Sequence, residues 1–161
     1  TDKKRLNIVL NKSSGFLYYV SIMGITGTKE PNLDILKEQV IELKKVTNIP
    51  IAVDESLYSI SSAEKLIEYN ACDVFIIKPM ISGGYKNSKI IHEMAQRENI
   101  RSIISTTLET KIGFLANFHI ASALEINEPC GLSTWNLFMQ NAPVNLEKNH
   151  LKLLNISGLG Y

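Results

Sequence analysis

The sequence predicts an α/β protein, an incomplete (β/α) TIM-type barrel of parallel strands with flanking helices. Three observations predict it. Short runs such as 49-IPIAV-53 and 72-CDVFIIK-78 are apolar on both faces, as strands of a parallel sheet covered on both sides must be. They alternate with amphipathic stretches of helical period, which is the βαβ order. Polar and small residues gather where the apolar runs end, the edge at which such folds keep their ligands.

The elements follow in order. Residues 2–14, DKKRLNIVLNKSS, read as a short helix with Leu6, Val9 and Leu10 on one face. The run 15-GFLYYVS-21 is aromatic and β-branched, a buried strand, and a Gly-rich loop 24-GITGTKEPN-32 follows. In 33-LDILKEQVIELKKV-46, Leu33, Leu36, Val40 and Leu43 recur at helical spacing. Asn32 is placed to cap that helix, its side-chain oxygen accepting from a free first-turn N–H. Then come strand 49–53, helix 61-SSAEKLIEYN-70 with its serines as caps, and strand 72–78. The turn 82-SGGY-85 leads into helix 86–99, strand 101-RSIISTT-107 and helix 112-IGFLANFHIASALEI-126. A short strand is expected near 131-GLST-134 and a terminal hairpin between Val144 and Leu154. That makes five or six barrel strands in one partial barrel over residues 1–161, against the eight of a closed barrel. An unclosed first strand leaves an open edge through which copies could self-associate.

Composition bounds the partners. With a net charge of +1 and only 3-KKR-5 as a basic run, nothing draws the chain to nucleic acid or to anionic lipid. No apolar run reaches the roughly 20 residues of a membrane span, and the start has no signal-peptide pattern. Cys72 and Cys130 stand far apart without metal-ligand spacing. Two reduced, buried thiols in a cytoplasmic protein are expected.

The polar edge holds the chemistry. In chain order it comprises Ser21 with 24-GITG-27, then 54-DES-56, Lys78 with Gly83 and Gly84, Thr106 and Thr107 with Glu109, and 131-GLST-134. Asp54 and Lys78 end consecutive strands. A carboxylate there suits a hard cation, and a lysine in a dry pocket near a cation becomes a usable proton acceptor. A plain Asp54–Lys78 salt bridge is the equal alternative. Gly83 and Gly84 suit a ligand near the backbone or simply a tight turn. Glu109 suits a hydrogen bond to a substrate or to another residue of this edge, or an ordinary exposed loop position. His92 and His119 lie within helices and read as packing or surface residues, and no histidine has a hydrolytic triad around it. Phe114 and Phe118 read as core, and Trp135 as structural.

Two family resemblances arise from these motifs. Over about residues 1–53, 15-GFLYYVSIMGITG-27 followed by a helix and 49-IPIAV-53 resembles the tryptophan synthase alpha chain. That resemblance implies phosphate contacts at Thr26 and Gly27. It departs at 54-DES-56, where the family has a G-F-G motif. Over about residues 48–161, the series 49-IPIAVDES-56, 71-ACDVFIIKP-79, 82-SGG-84, 107-TLETKIG-113, 130-CGLST-134 and 158-GLGY-161 resembles the enolase superfamily. The nearest look within it is to o-succinylbenzoate synthase of menaquinone synthesis.

The enolase-type resemblance implies Mg²⁺, with Asp54 as one of three metal-binding acids, Glu55 backing it, and Lys78 flanking the acidic carbon of a small carboxylate substrate. It implies proton abstraction, an enediolate held by the metal, and then dehydration. Gly83, Gly84, Thr107 and Glu109 would bind substrate. The family's other two acids, second lysine and capping domain belong to earlier sequence without a counterpart before residue 48. The chain is therefore expected to be a chimera joined near residues 48–53, engineered, recombined or artefactual, and inactive in isolation. A phosphate-ester-binding lyase fragment and a non-catalytic fragment are the alternatives.

Overall fold

The computed structural model describes residues 3–20, 32–137, 145–147, 150–152, 155 and 157–159. Ser21 and the loop holding Gly24, Thr26 and Gly27 lie outside the described residues, as does Tyr161.

Four parallel strands form one sheet in the order β1 (Leu17–Tyr19), β2 (Ile51–Val53), β3 (Val74–Ile77), β4 (Arg101–Ile104). Helices α1 (Lys3–Leu10), α2 (Leu33–Lys44), α3 (Ile60–Glu68), α4 (Pro79–Ser82), α5 (Tyr85–Arg97) and α6 (Lys111–Ala123) surround and connect them. The expected strand at 131–134 is instead a single parallel bridge, Ser105 to Gly131, and Thr134 falls in a 3₁₀ turn over Ser133–Leu137. Close approach explains why pairing begins at a glycine. A Cβ on Gly131 would come within 2.7 Å of the Ser105 hydroxyl oxygen. Among the described residues the barrel thus has four parallel strands rather than five or six. The hairpin is present as β5 (Asn145–Glu147) and β6 (His150–Lys152).

Period-two alternation splits the apolar strand residues between two faces. Ile51, Val53, Phe75, Ile77 and Ile104 face the helices and pack with Leu36, Val40, Leu66, Ile91, Phe114 and Leu115. Ala52, Val74, Ile76 and Ile103 form a smaller cluster on the opposite face, with Phe16 against it. Every residue of β2 and β3 is buried, which is why their sequences are unbroken apolar runs. Phe114 and Phe118 lie in the larger core, ring centroids 6.4 Å apart.

Local signals set the helix ends. Asn32 caps α2 as expected, its side chain accepting from Asp34 and Ile35 N–H. The cap of α3 is Ser59, two residues before the expected serines. Ser62 completes a capping box with it. The one-turn α4 starts at Pro79, a residue well suited to the first helical position, and stops on Gly83 at φ 94°. It is an element the sequence reading omits. In α1, Leu6 and Leu10 are half-buried but Val9 is 40% exposed, so the expected apolar face is only partly used.

Candidate active site

The register brings the inner-face residues to one mouth. Tyr18 pairs with Ala52, and Ala52 with Val74. Counting two residues on, Asp54 emerges just past β2 on the face of Ala52. Lys78 emerges just past β3 on the face of Val74 and Ile76. The parallel strands end together, so the two charged groups meet there. Lys78 Nζ lies 2.5 Å from Asp54 Oδ2. Asp54 is 5% exposed and the Lys78 side chain 20%, so this pair is largely withdrawn from water. The placement expected from sequence is met, and so is the salt bridge that was its alternative.

A third group joins them. The Tyr18 hydroxyl donates to the same Asp54 Oδ2. Burial, that hydrogen bond and the charges of Asp54 and Glu55 all raise the Tyr18 pKa, keeping the phenol protonated as a donor. Tyr18 was missed by sequence reasoning. The register carries the signal, since the Tyr18–Ala52 pairing puts Tyr18 on the face of Ala52 and Asp54. Glu55 sits beside this group with its Oε2 buried and without a hydrogen-bond partner among the described residues.

The next strand end is a separate network. Glu109 is 7% exposed and accepts through Oε1 from the Thr107 backbone N–H and hydroxyl, both at 3.0 Å. Its Oε2 accepts from Asn117 Nδ2 at 2.6 Å. Asn117, on α6, was also not foreseen. Gly113 lets α6 approach, since a Cβ there would meet Glu109 Oε2 at 2.6 Å. Thr106 and Thr134 share a hydroxyl contact of 2.6 Å. Glu109, Gly83 and Gly84 line a cleft of about 770 Å³ with Met80, Leu108 and Ile120, and neither Asp54 nor Lys78 lines it. Of the predicted substrate-binding residues, Gly83, Gly84 and Glu109 line this cleft and Thr107 does not.

His119 lines the same cleft as Glu109. His92 is buried in α5, and His119 contacts the Leu159 carbonyl oxygen at 3.3 Å. Both cysteines are free. Among the described residues no helix is long and apolar enough to cross a membrane.

The residues present do not by themselves fit Mg²⁺. Among the described residues no three His, Cys, Asp or Glu side chains come together. The one well-placed acid, Asp54, already receives an ammonium and a hydroxyl on Oδ2.

The profile of the enolase C-terminal domain-like family matches residues 30–161 of this sequence. The chain belongs to that family. Among its relatives is the L-Ala-D/L-Glu epimerase of Clostridium acetobutylicum, 30% identical over 131 residues, covering 75% of this chain and 37% of that one. Among solved structures, the dipeptide epimerase of Enterococcus faecalis V583, complexed with Mg and the dipeptide L-Leu-L-Tyr, superposes over 98% of this chain and 43% of its own. Its TM-score is 0.75 at 24% identity, which establishes the shared fold. A different likeness coexists with these. The tryptophan synthase alpha chain of Acidiphilium cryptum is 51% identical over 53 residues, 33% of this chain and 19% of that protein. The chain thus spans less than half the length of each of these relatives.

Proposed function

We propose that this chain supplies part of an enolase-superfamily active site that removes the proton beside a carboxylate in a small substrate. The observation that carries this reading is the meeting of Lys78 and Asp54 at the ends of adjacent parallel strands, on the inner face. In the proposed step the Lys78 ammonium of the ion pair first gives a proton to solvent, and the resulting amine takes the α-proton. The C–H electron pair moves into the carboxylate to give an enediolate, and Asp54 stabilises the new ammonium. Mg²⁺ is a family expectation, and the acids described here do not complete its ligand set. Further carboxylates would have to come from other polypeptide, and no step is assigned to the metal.

Two outcomes can follow abstraction. Delivery of a different proton to the opposite face, by an acid that would have to come from other polypeptide, gives epimerisation, the reading favoured by the relatives named above. Loss of hydroxide gives the dehydration of o-succinylbenzoate synthase, the nearest look of the sequence; the DES, IKP, SGG and LET motifs speak for the superfamily more than for one substrate. In either case Gly83, Gly84, Thr107 and Glu109 are proposed to face substrate. Glu109 would exchange a hydrogen bond from Thr107 or Asn117 to do so.

The test is α-proton exchange in D₂O, followed by NMR with an L-Ala-L-Glu dipeptide and with the o-succinylbenzoate precursor, each with added Mg²⁺. Exchange above buffer is expected to fall by about 10²–10⁴ in Lys78→Ala, the usual worth of a positioned acid–base group. Exchange unchanged in Lys78→Ala would refute the assignment. Absence of exchange, with no calorimetric binding of either carboxylate, favours a non-catalytic chain. Binding of a phosphate ester instead favours the tryptophan-synthase-like reading at Thr26 and Gly27. A chimeric origin is proposed from the coexistence of two likenesses, although the enolase-type profile begins at residue 30, ahead of the expected join near residues 48–53. An uninterrupted genomic reading frame carrying both segments would show the join to be natural.

A further inference from the structure

We propose that Tyr18 acts as a plug that closes the Oδ2 oxygen of Asp54 to divalent cations, so that this oxygen's resident partners are the chain's own ammonium and phenol. The argument starts from the oxygen's capacity. A carboxylate oxygen offers two lone pairs, and Asp54 Oδ2 receives two donors, Lys78 Nζ and the Tyr18 hydroxyl. A cation binding through Oδ2 must displace one of them and also tolerate an ammonium 2.5 Å from its ligand. Asp54 is 5% exposed, so displaced groups cannot simply be replaced by bulk water.

Tyr18 is the removable member of this arrangement. It reaches Asp54 from β1, while Lys78 and Asp54 come from adjoining central strands. Its placement follows from the Tyr18–Ala52 pairing, and its residue is 46% exposed, so the ring is not a core support. Removing only its hydroxyl frees one lone pair on Oδ2. It also removes a donor from the neighbourhood of Glu55, whose buried Oε2 has no hydrogen-bond partner among the described residues. Tyr18→Phe would therefore leave Asp54 Oδ2 with an unused lone pair, which suits a hard cation.

The inference rests on the placement of Asp54 in the proposed site but not on turnover, and its test reads cation binding alone. Mn²⁺ serves as the probe, titrated into the ¹⁵N-labelled 161-residue chain while paramagnetic broadening of the amides around residue 54 is followed. Tyr18→Phe is expected to tighten Mn²⁺ binding on the order of tenfold, the scale of one hydrogen bond to a charged group. Adding Asp54→Asn is expected to abolish the gain. Equal broadening in wild type and Tyr18→Phe, including none in either, overturns the proposal. So does a gain that survives Asp54→Asn, because the cation would then sit elsewhere. Tyr18→Leu, run in parallel, guards against a folding defect peculiar to one variant, and the amide spectra report folding directly.

Discussion

The strand β1 and the strand β3 both deliver a polar group to Asp54, yet they are held in place very differently. β3 lies between two partners, and all four of its residues are buried. β1 has one described partner, and of its three residues only Leu17 is buried. Tyr18 and Val20 are 46% and 52% exposed. The same contrast holds for the helices. α1 has no buried residue over 4–10, whereas α5 buries Ser88, Ile91, His92 and Ala95. The lesson is that a site can be assembled from one firmly fixed arm and one loosely fixed arm. Lys78 belongs to the first and Tyr18 to the second, so perturbing the amino-terminal strand should alter the site before it alters the fold.

The most severe way to probe this contrast is to empty one side chain from each strand. Phe75→Ala removes a ring that is 0% exposed, and should cost about 3–5 kcal/mol. Leu17→Ala, at 9% exposed on an edge that can relax, should fall near the low end of its class, about 2 kcal/mol. Urea unfolding followed by circular dichroism measures both. Equal losses would mean that β1 is as integral to the core as β3, and the two-arm description would fail.

The same contrast explains what the sequence made legible. The central strands were plain because burial on both faces leaves unbroken apolar runs, and α2 because Leu36 and Val40 repeat toward the core with Asn32 at the start. Asp54 and Lys78 could be paired because strand order and period two jointly fix where side chains emerge. Tyr18 was not singled out, because aromatic residues in a strand usually signal burial and only the register shows its hydroxyl reaching an acid. The one-turn α4 is too short for any periodicity to appear. The bridge at Gly131 depends on distant Ser105, which no local pattern contains. From sequence Glu109 reads as an exposed loop acid or as a partner of substrate or of another rim residue, and its bond to Thr107 meets the last of these. Its bonds to Thr107 and Asn117 depend on α6 closing over it, which Gly113 permits.

A milder comparison uses glycines with positive φ on the two sides. Gly83 has φ 94°, and a Cβ would lie 2.5 Å from the Asn87 side-chain nitrogen. Gly15 has φ 81° with nothing within 4 Å of its would-be Cβ. Both Gly→Ala changes carry backbone strain, of order 1–3 kcal/mol, and Gly83→Ala adds the displacement of Asn87 from its 2.8 Å bond to the Ser82 carbonyl. The larger thermal destabilisation is therefore expected for Gly83→Ala, read as a fall in Tm. A larger fall for Gly15→Ala would place the tighter turn on the amino-terminal side.

The smallest effect expected is a pH dependence confined to the carboxyl-side segment, since no histidine precedes His92. Burial in α5 lowers the His92 pKa below its ordinary 6.5, with Glu93 pulling weakly the other way. Its Nδ1 is buried without a partner among the described residues, so nothing offsets the cost of charging the ring. The sign follows. Above pH 6.5 the imidazole is neutral in folded and unfolded chain alike, and His92 adds no slope. Below it the unfolded chain binds the proton first, so stability falls until the pH passes the lowered folded value. His92→Gln keeps a polar side chain of similar size but cannot titrate. Urea midpoints taken between pH 8 and pH 5 should decline less in His92→Gln than in wild type. Parallel declines would move the acid sensitivity away from α5, and with it the idea that this half of the molecule holds the less forgiving core.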